Sequence, residues 1–146
     1  MLTAAGKLRA LEFSRNGAPI TVLDQHKGGA FTLDGQSYTV RPVGTFQHSY
    51  ELRLRDEMVA FAKAVPLVNR FNVTHGDRSW LLRAENFQTT RYGLYDGETR
   101  LGGIAAGSWF RRWNGATIDL PDALPLAVQV FLTSVVLFNW AEGSSN

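Results

Sequence analysis

The feature that most limits what this chain can fold into is its last apolar stretch, residues 122–141, which reads D-A-L-P-L-A-V-Q-V-F-L-T-S-V-V-L-F-N-W-A. No charged side chain falls between Asp122 and Glu142, and the clearly polar ones are Gln129, Thr133, Ser134 and Asn139. A helix apolar around most of its circumference cannot lie on a water-facing surface, so it belongs inside a protein core or a bilayer. Val128, Val130, Val135 and Val136 favour helix only weakly. Length decides for helix, because a run this long without a turn signal far exceeds a usual strand. Asp122 is the expected N-cap, Pro125 suits the first turn, and Gly143 suits a left-handed cap after the last.

Upstream, from Lys7 to about Ile118, short alternating runs are cut by turn dipeptides, the pattern of an antiparallel meander. Asn16-Gly17, Asp34-Gly35, Asp56-Glu57, Gly76-Asp77, Asp96-Gly97 and Asn114-Gly115 are the expected turns. Tyr50, Leu52 and Leu54 point to one face of their strand while Glu51, Arg53 and Arg55 point to the other, giving one buried and one wet face. A last hairpin is expected between residues 108–113 and 116–120. Turns at these intervals give about ten to twelve strands, as in a sandwich or barrel. The length, 146 residues, is that of one domain, so the expectation is a single mainly β unit over 1–146.

Two homes are open to the terminal helix. Its length matches the thickness of a bilayer core, about 30 Å, so a C-terminal membrane anchor is one reading. Against it, Asp119, Asp122 and Glu142 flank the segment and no Lys or Arg follows Arg112, whereas anchors carry basic residues at their ends. Asp122, Gln129, Thr133 and Trp140 recur at helical spacing as a partly polar stripe, which suits a helix wedged among protein groups. The other reading closes the strands into a barrel around the helix, which satisfies it on every side and removes sheet edges.

The chain resembles the superfamily of tubby C-terminal domains, phospholipid scramblases and plant LURP-one-related proteins, in particular its small bacterial members. The resemblance rests on Tyr92-Gly93-Leu94-Tyr95-Asp96-Gly97, Leu101-Gly102-Gly103-Ile104, and Asp119-Leu120-Pro121 leading into Leu124-Pro125-Leu126 and the apolar run. It implies an antiparallel barrel of about twelve strands closed around a C-terminal hydrophobic helix. It also implies action at membranes, since tubby domains bind phosphoinositides through basic side chains on the barrel. Scramblase features that depend on acylated cysteine are missing, as the chain has no Cys.

The absence of cysteine also removes disulfides, thiolate nucleophiles and Cys-based metal sites. No leader pattern opens the chain, so no signal peptide is expected and the cytoplasm is the favoured compartment, with the resemblance adding a peripheral membrane location as the alternative. A net charge of +2, with both signs interspersed, is too small an excess to imply nucleic acid. There is no G-x-S-x-G, H-E-x-x-H, G-x-x-x-x-G-K or C-x-x-C. Gly102-Gly103 reads as strand curvature or a bulge. His26, His48 and His75 lack metal-ligand spacing, and Asp34, Asp56, Asp77 and Asp96 suit turn geometry. No catalytic residue, metal or cofactor is therefore expected.

Binding remains. In Ser108-Trp109-Phe110-Arg111-Arg112-Trp113 two adjacent guanidinium groups are flanked by aromatics. Arg offers a fork suited to phosphate and Trp favours the membrane interface, so Trp109, Arg111, Arg112 and Trp113 are the candidate lipid head-group residues. The alternative is a hairpin whose aromatics face inward while its arginines reach water. The expected partner is an anionic membrane surface, with a protein partner of a scaffold domain as the alternative, in a monomer or weak homo-oligomer.

Overall fold

The computed structural model describes residues 2–7, 10–24, 29–44, 49–66, 68–86, 91–106 and 115–144, with the side chains of residues 7, 106 and 140–144 excepted. Twelve strands run in chain order: β1 (Leu2–Lys7), β2 (Ala10–Arg15), β3 (Ala18–Asp24), β4 (Ala30–Leu33), β5 (Gln36–Val43) and β6 (Ser49–Leu54), then β7 (Glu57–Ala64), β8 (Arg70–His75), β9 (Arg78–Ala84), β10 (Arg91–Asp96), β11 (Thr99–Ala106) and β12 (Gly115–Asp119). One helix follows, α1 (Leu126–Ser144). Each strand pairs antiparallel with its sequence neighbours, and β1 against β12 closes the barrel.

Side-chain alternation explains the wall. Leu11 and Phe13 on β2, Phe71 and Val73 on β8, and Leu82 on β9 are buried, while Glu12, Asn72, Thr74 and Arg83 between them are exposed. Asn16 and Gly17 have φ of 52° and 85°, and Asp34 and Gly35 have 51° and 77°, the pair of positive angles that a two-residue hairpin turn requires. Glu51 departs from the simple wet-face pattern. It is only 7% exposed because Arg41 and Arg53 reach across the outer wall to its carboxylate.

Up-and-down order sorts the connections by rim. The two-residue turns after β2, β4, β6, β8 and β10 all lie at one rim, where β12 also ends, and four of them carry an acid: Asp34, Asp56, Asp77 and Glu98. The connections after β1, β3, β5, β7, β9 and β11 join strand ends at the opposite rim, toward which α1 runs.

The helix fills the barrel. Val128, Val130, Phe131, Leu132, Val135, Val136 and Leu137 have no exposure, and the Phe138 ring sits 5.3 Å from that of Tyr50. Its polar groups are satisfied in place, as burial demands. The Gln129 amide donates to the carbonyls of Pro121 (3.2 Å) and Leu124 (2.9 Å). Thr133 donates to the carbonyl of Gln129 (2.8 Å) and Ser134 to that of Phe131 (2.6 Å). The Asn139 amide donates to the Tyr92 hydroxyl (2.6 Å), a group whose pKa burial pushes up.

Three details of the sequence reading are corrected. The helix starts at Leu126 and not near residue 122, because the Leu124 N–H closes a turn onto the Pro121 carbonyl (3.0 Å) that leaves Asp122 exposed. Asp122 is therefore no N-cap. The first helical bonds, from Val128 (2.9 Å) and Gln129 (3.0 Å), go to the Pro125 carbonyl, and the Gln129 side chain ties down this helix start. Gly143 lies within the helix, which continues to Ser144, so it is not a cap beyond the last turn. Among the described residues, no helix is long and apolar enough to cross a membrane.

Candidate functional site

With α1 occupying the interior, the side chains left for recognition lie on the outer wall and at the rims. Trp109, Arg111, Arg112 and Trp113 lie outside the described residues, as do His26 and His48. The strand ends that bracket the first four are Ala106 and Gly115, at the rim toward which α1 runs. Both edges of β12 are taken, by β11 from Gly103↔Asp119 to Ala106↔Ala116 and by β1. Residues 108–113 of the expected hairpin lie outside the described residues, and the described partner of β12 on that side is β11.

The remaining histidine is structural in character. His75 Nδ1 lies 2.9 Å from the Val59 carbonyl, and its ring stacks 6.4 Å from Trp80. Among the described residues, no group of three or more His, Asp or Glu could hold a metal ion.

The most developed polar constellation sits on the outer face of β9, β10 and β11. Gly93 and Gly103 are directly paired across β10 and β11, so two side chains are missing at one spot of the wall. A Cβ at Gly93 would overlap the Glu85 carboxylate and approach Tyr95 Cε1 to 2.8 Å, while one at Gly103 would overlap the Arg100 guanidinium. This bare backbone floor is what lets an ion pair lie flat against the sheet. Arg100 donates to Glu85 through Nε (2.7 Å) and Nη2 (2.9 Å), and the Tyr95 hydroxyl donates to the same carboxylate. Arg83 completes the layer, its guanidinium 4.3 Å from the centre of the Tyr95 ring. Gly102 marks a bulge: Leu94 faces Gly102 but Tyr95 faces Arg100, leaving Leu101 as the extra residue. That agrees with the reading of this glycine run as a bulge.

The hydrogen bond from Arg100 holds the Glu85 carboxyl below its ordinary 4.5, outweighing partial burial, with help from Tyr95 and the charges of Arg100 and Arg91. A carboxyl whose folded pKa is depressed contributes stability that is complete above the unfolded value and lost as pH falls through the folded one. Glu85→Gln should therefore lower the thermal midpoint at neutral pH, and the gap to the parent should narrow in acid below 4.5. Melting curves of both proteins from neutral pH down to strong acid would show this. A gap that stays constant would mean that the carboxylate charge contributes nothing.

The surrounding charge is one-sided. On the part of β7 to β10 nearer the helix-end rim, Lys63, Arg70, Arg83 and Arg91 accompany one carboxylate, that of Glu85 just past β9, which Arg100 already engages from the turn end of β11. Sequence reading did not find this surface, because its members are brought together by register and not by spacing along the chain. The legible signal was the matching loss of side chains at Gly93 and Gly103. Comparison of the chain with protein-family models, curated proteins and solved structures returned no match.

Proposed function

We propose that this protein is a non-enzymatic binding module that recognises anionic phospholipid head groups from the outside of the barrel, at the rim toward which the helix runs. The observation that carries the reading is the segregation of the two rims. The turns of the tight-turn rim bear four acids, Asp34, Asp56, Asp77 and Glu98, against one base, Arg55. The opposite strand ends are joined by the sequences that contain Arg9, Lys27, Arg111 and Arg112, together with Trp109 and Trp113. Basic forks with interfacial aromatics suit a negatively charged head-group layer, and acids at the far end favour one orientation toward it. The filled interior supports an outer-surface mode of recognition.

Co-sedimentation with phosphatidylcholine vesicles containing phosphatidylserine tests this. Binding should be strong at low ionic strength and fall steeply with added salt, and each basic residue removed from the contact should cost about 1 kcal/mol. Arg111→Ala plus Arg112→Ala should reduce the bound fraction severalfold. No association with these vesicles at low salt would end the proposal.

A further inference from the structure

We propose that the outer wall of β8 and β9 is a docking groove for an extended acidic peptide, anchored by Arg70 and Arg83. This goes beyond the lipid reading and uses other residues. Arg70 and Arg83 sit directly opposite each other on neighbouring strands, both exposed. Like charges in that position are destabilising, so the arrangement costs the fold something unless an anion joins them. Neither has an acidic partner among the described residues, and nearby Glu85 is held bidentately by Arg100.

The pair is also partly organised in advance. Arg83 lies over the Tyr95 ring at 4.3 Å, and Tyr95 is in turn held by its hydroxyl on Glu85. A guanidinium stacked by its face keeps its N–H edge for a carboxylate, and an ordered side chain loses less entropy on binding. Lys63, opposite Asn72 in the next row, adds a third positive charge.

The groove itself selects between anions. From Arg70 it continues along the wall past Asn72, Thr74, Ser79 and Leu81 to Tyr95. The amide and hydroxyls offer acceptors as well as donors, which match the alternating N–H and C=O of a peptide backbone. A bare phosphate would use the donors alone, and Leu81 would have no partner. Arg70 to Thr74 spans about 13 Å at 3.3 Å per residue, room for roughly four extended residues. Strands lie about 4.8 Å apart, so two guanidinium forks can take carboxylates from neighbouring acidic positions of one peptide.

The test is fluorescence anisotropy of labelled hexaglutamate titrated with the full chain at low ionic strength. Saturable binding is expected, weakening with salt, and Arg70→Ala plus Arg83→Ala should lower the affinity about tenfold. Arg111→Ala plus Arg112→Ala should leave it unchanged, which separates this groove from the proposed lipid surface. Removing the facing cations should not lower the thermal midpoint, so a loss of binding reports on the groove and not on folding. The proposal is overturned if hexaglutamate does not saturate, or if its binding survives loss of both arginines. It is equally overturned if inorganic phosphate or phosphatidylserine vesicles bind through Arg70 and Arg83 while the peptide does not.

Discussion

A chain ending at Pro121 is expected to show no cooperative unfolding transition and no near-ultraviolet circular dichroism of a packed core. The seven apolar side chains of α1 with no exposure, from Val128 to Leu137, each contribute about 1.5–3 kcal/mol by burial. Together that is roughly 10–20 kcal/mol, as large as the whole stability of an ordinary domain, about 5–15 kcal/mol. The loss is worse than the sum, because the inner faces of β2, β6, β9 and β10 would then line a void or fill with water. Leu11, Phe13, Leu52, Leu82 and Leu94 are all at 0% exposure in the intact barrel. Val135→Asp should be nearly as damaging in the full-length chain, since it places an unpaired carboxylate where no solvent reaches. Ala123→Asp, in the exposed turn before the helix, should be close to neutral. A truncated chain that kept a sharp urea transition would show that the strands close without their helix.

The parts of the fold that could be read from sequence are those specified by local rules. Asn16-Gly17 and Asp34-Gly35 demand positive φ, and the structure puts tight turns there. The run from Val128 to Leu137 could only be a buried element, because it has no polar face. What escaped was set by long-range register. Strand β1 starts Leu-Thr-Ala-Ala-Gly, a stretch with little strand propensity, and exists because β12 and β2 offer it two edges. Asp122 looked like a cap by residue type, yet the Pro121–Leu124 turn moved the helix start to Leu126. The wall surface was hidden for the same reason, since Glu85 meets Arg100 and Arg70 meets Arg83 only through strand pairing. Trp109, Arg111, Arg112 and Trp113 are proposed from residue type alone, a local property.

Gly102→Ala and Gly115→Ala should each cost about 3 kcal/mol or more, at the upper end of what an overpacked site loses. The reason is the nature of the obstacle. A Cβ at Gly102 would overlap the backbone carbonyl of Asp119 and reach the Leu120 Cα at 3.1 Å. A Cβ at Gly115 would overlap the carbonyl of Ala4 and reach the Ala5 Cα at 3.2 Å. Backbone in a closed ladder cannot swing aside, so a whole strand must shift. Gly93→Ala meets instead the ends of Glu85 and Tyr95, which can rotate away at the expense of their hydrogen bonds; about 1 kcal/mol is expected, together with loss of the Glu85 pH response. Urea midpoints at constant m-value would rank the three variants. The two costly sites serve the two edges of one strand: Gly102 lets β11 close tightly on β12, and Gly115, in β12 itself, lets it close tightly on β1. Since β12 leads straight into the turn that delivers α1, loosening either edge releases the helix mouth as well as the wall. Equal effects from all three alanines would mean that these glycines serve curvature alone and that the barrel does not depend on close approach at its last seams.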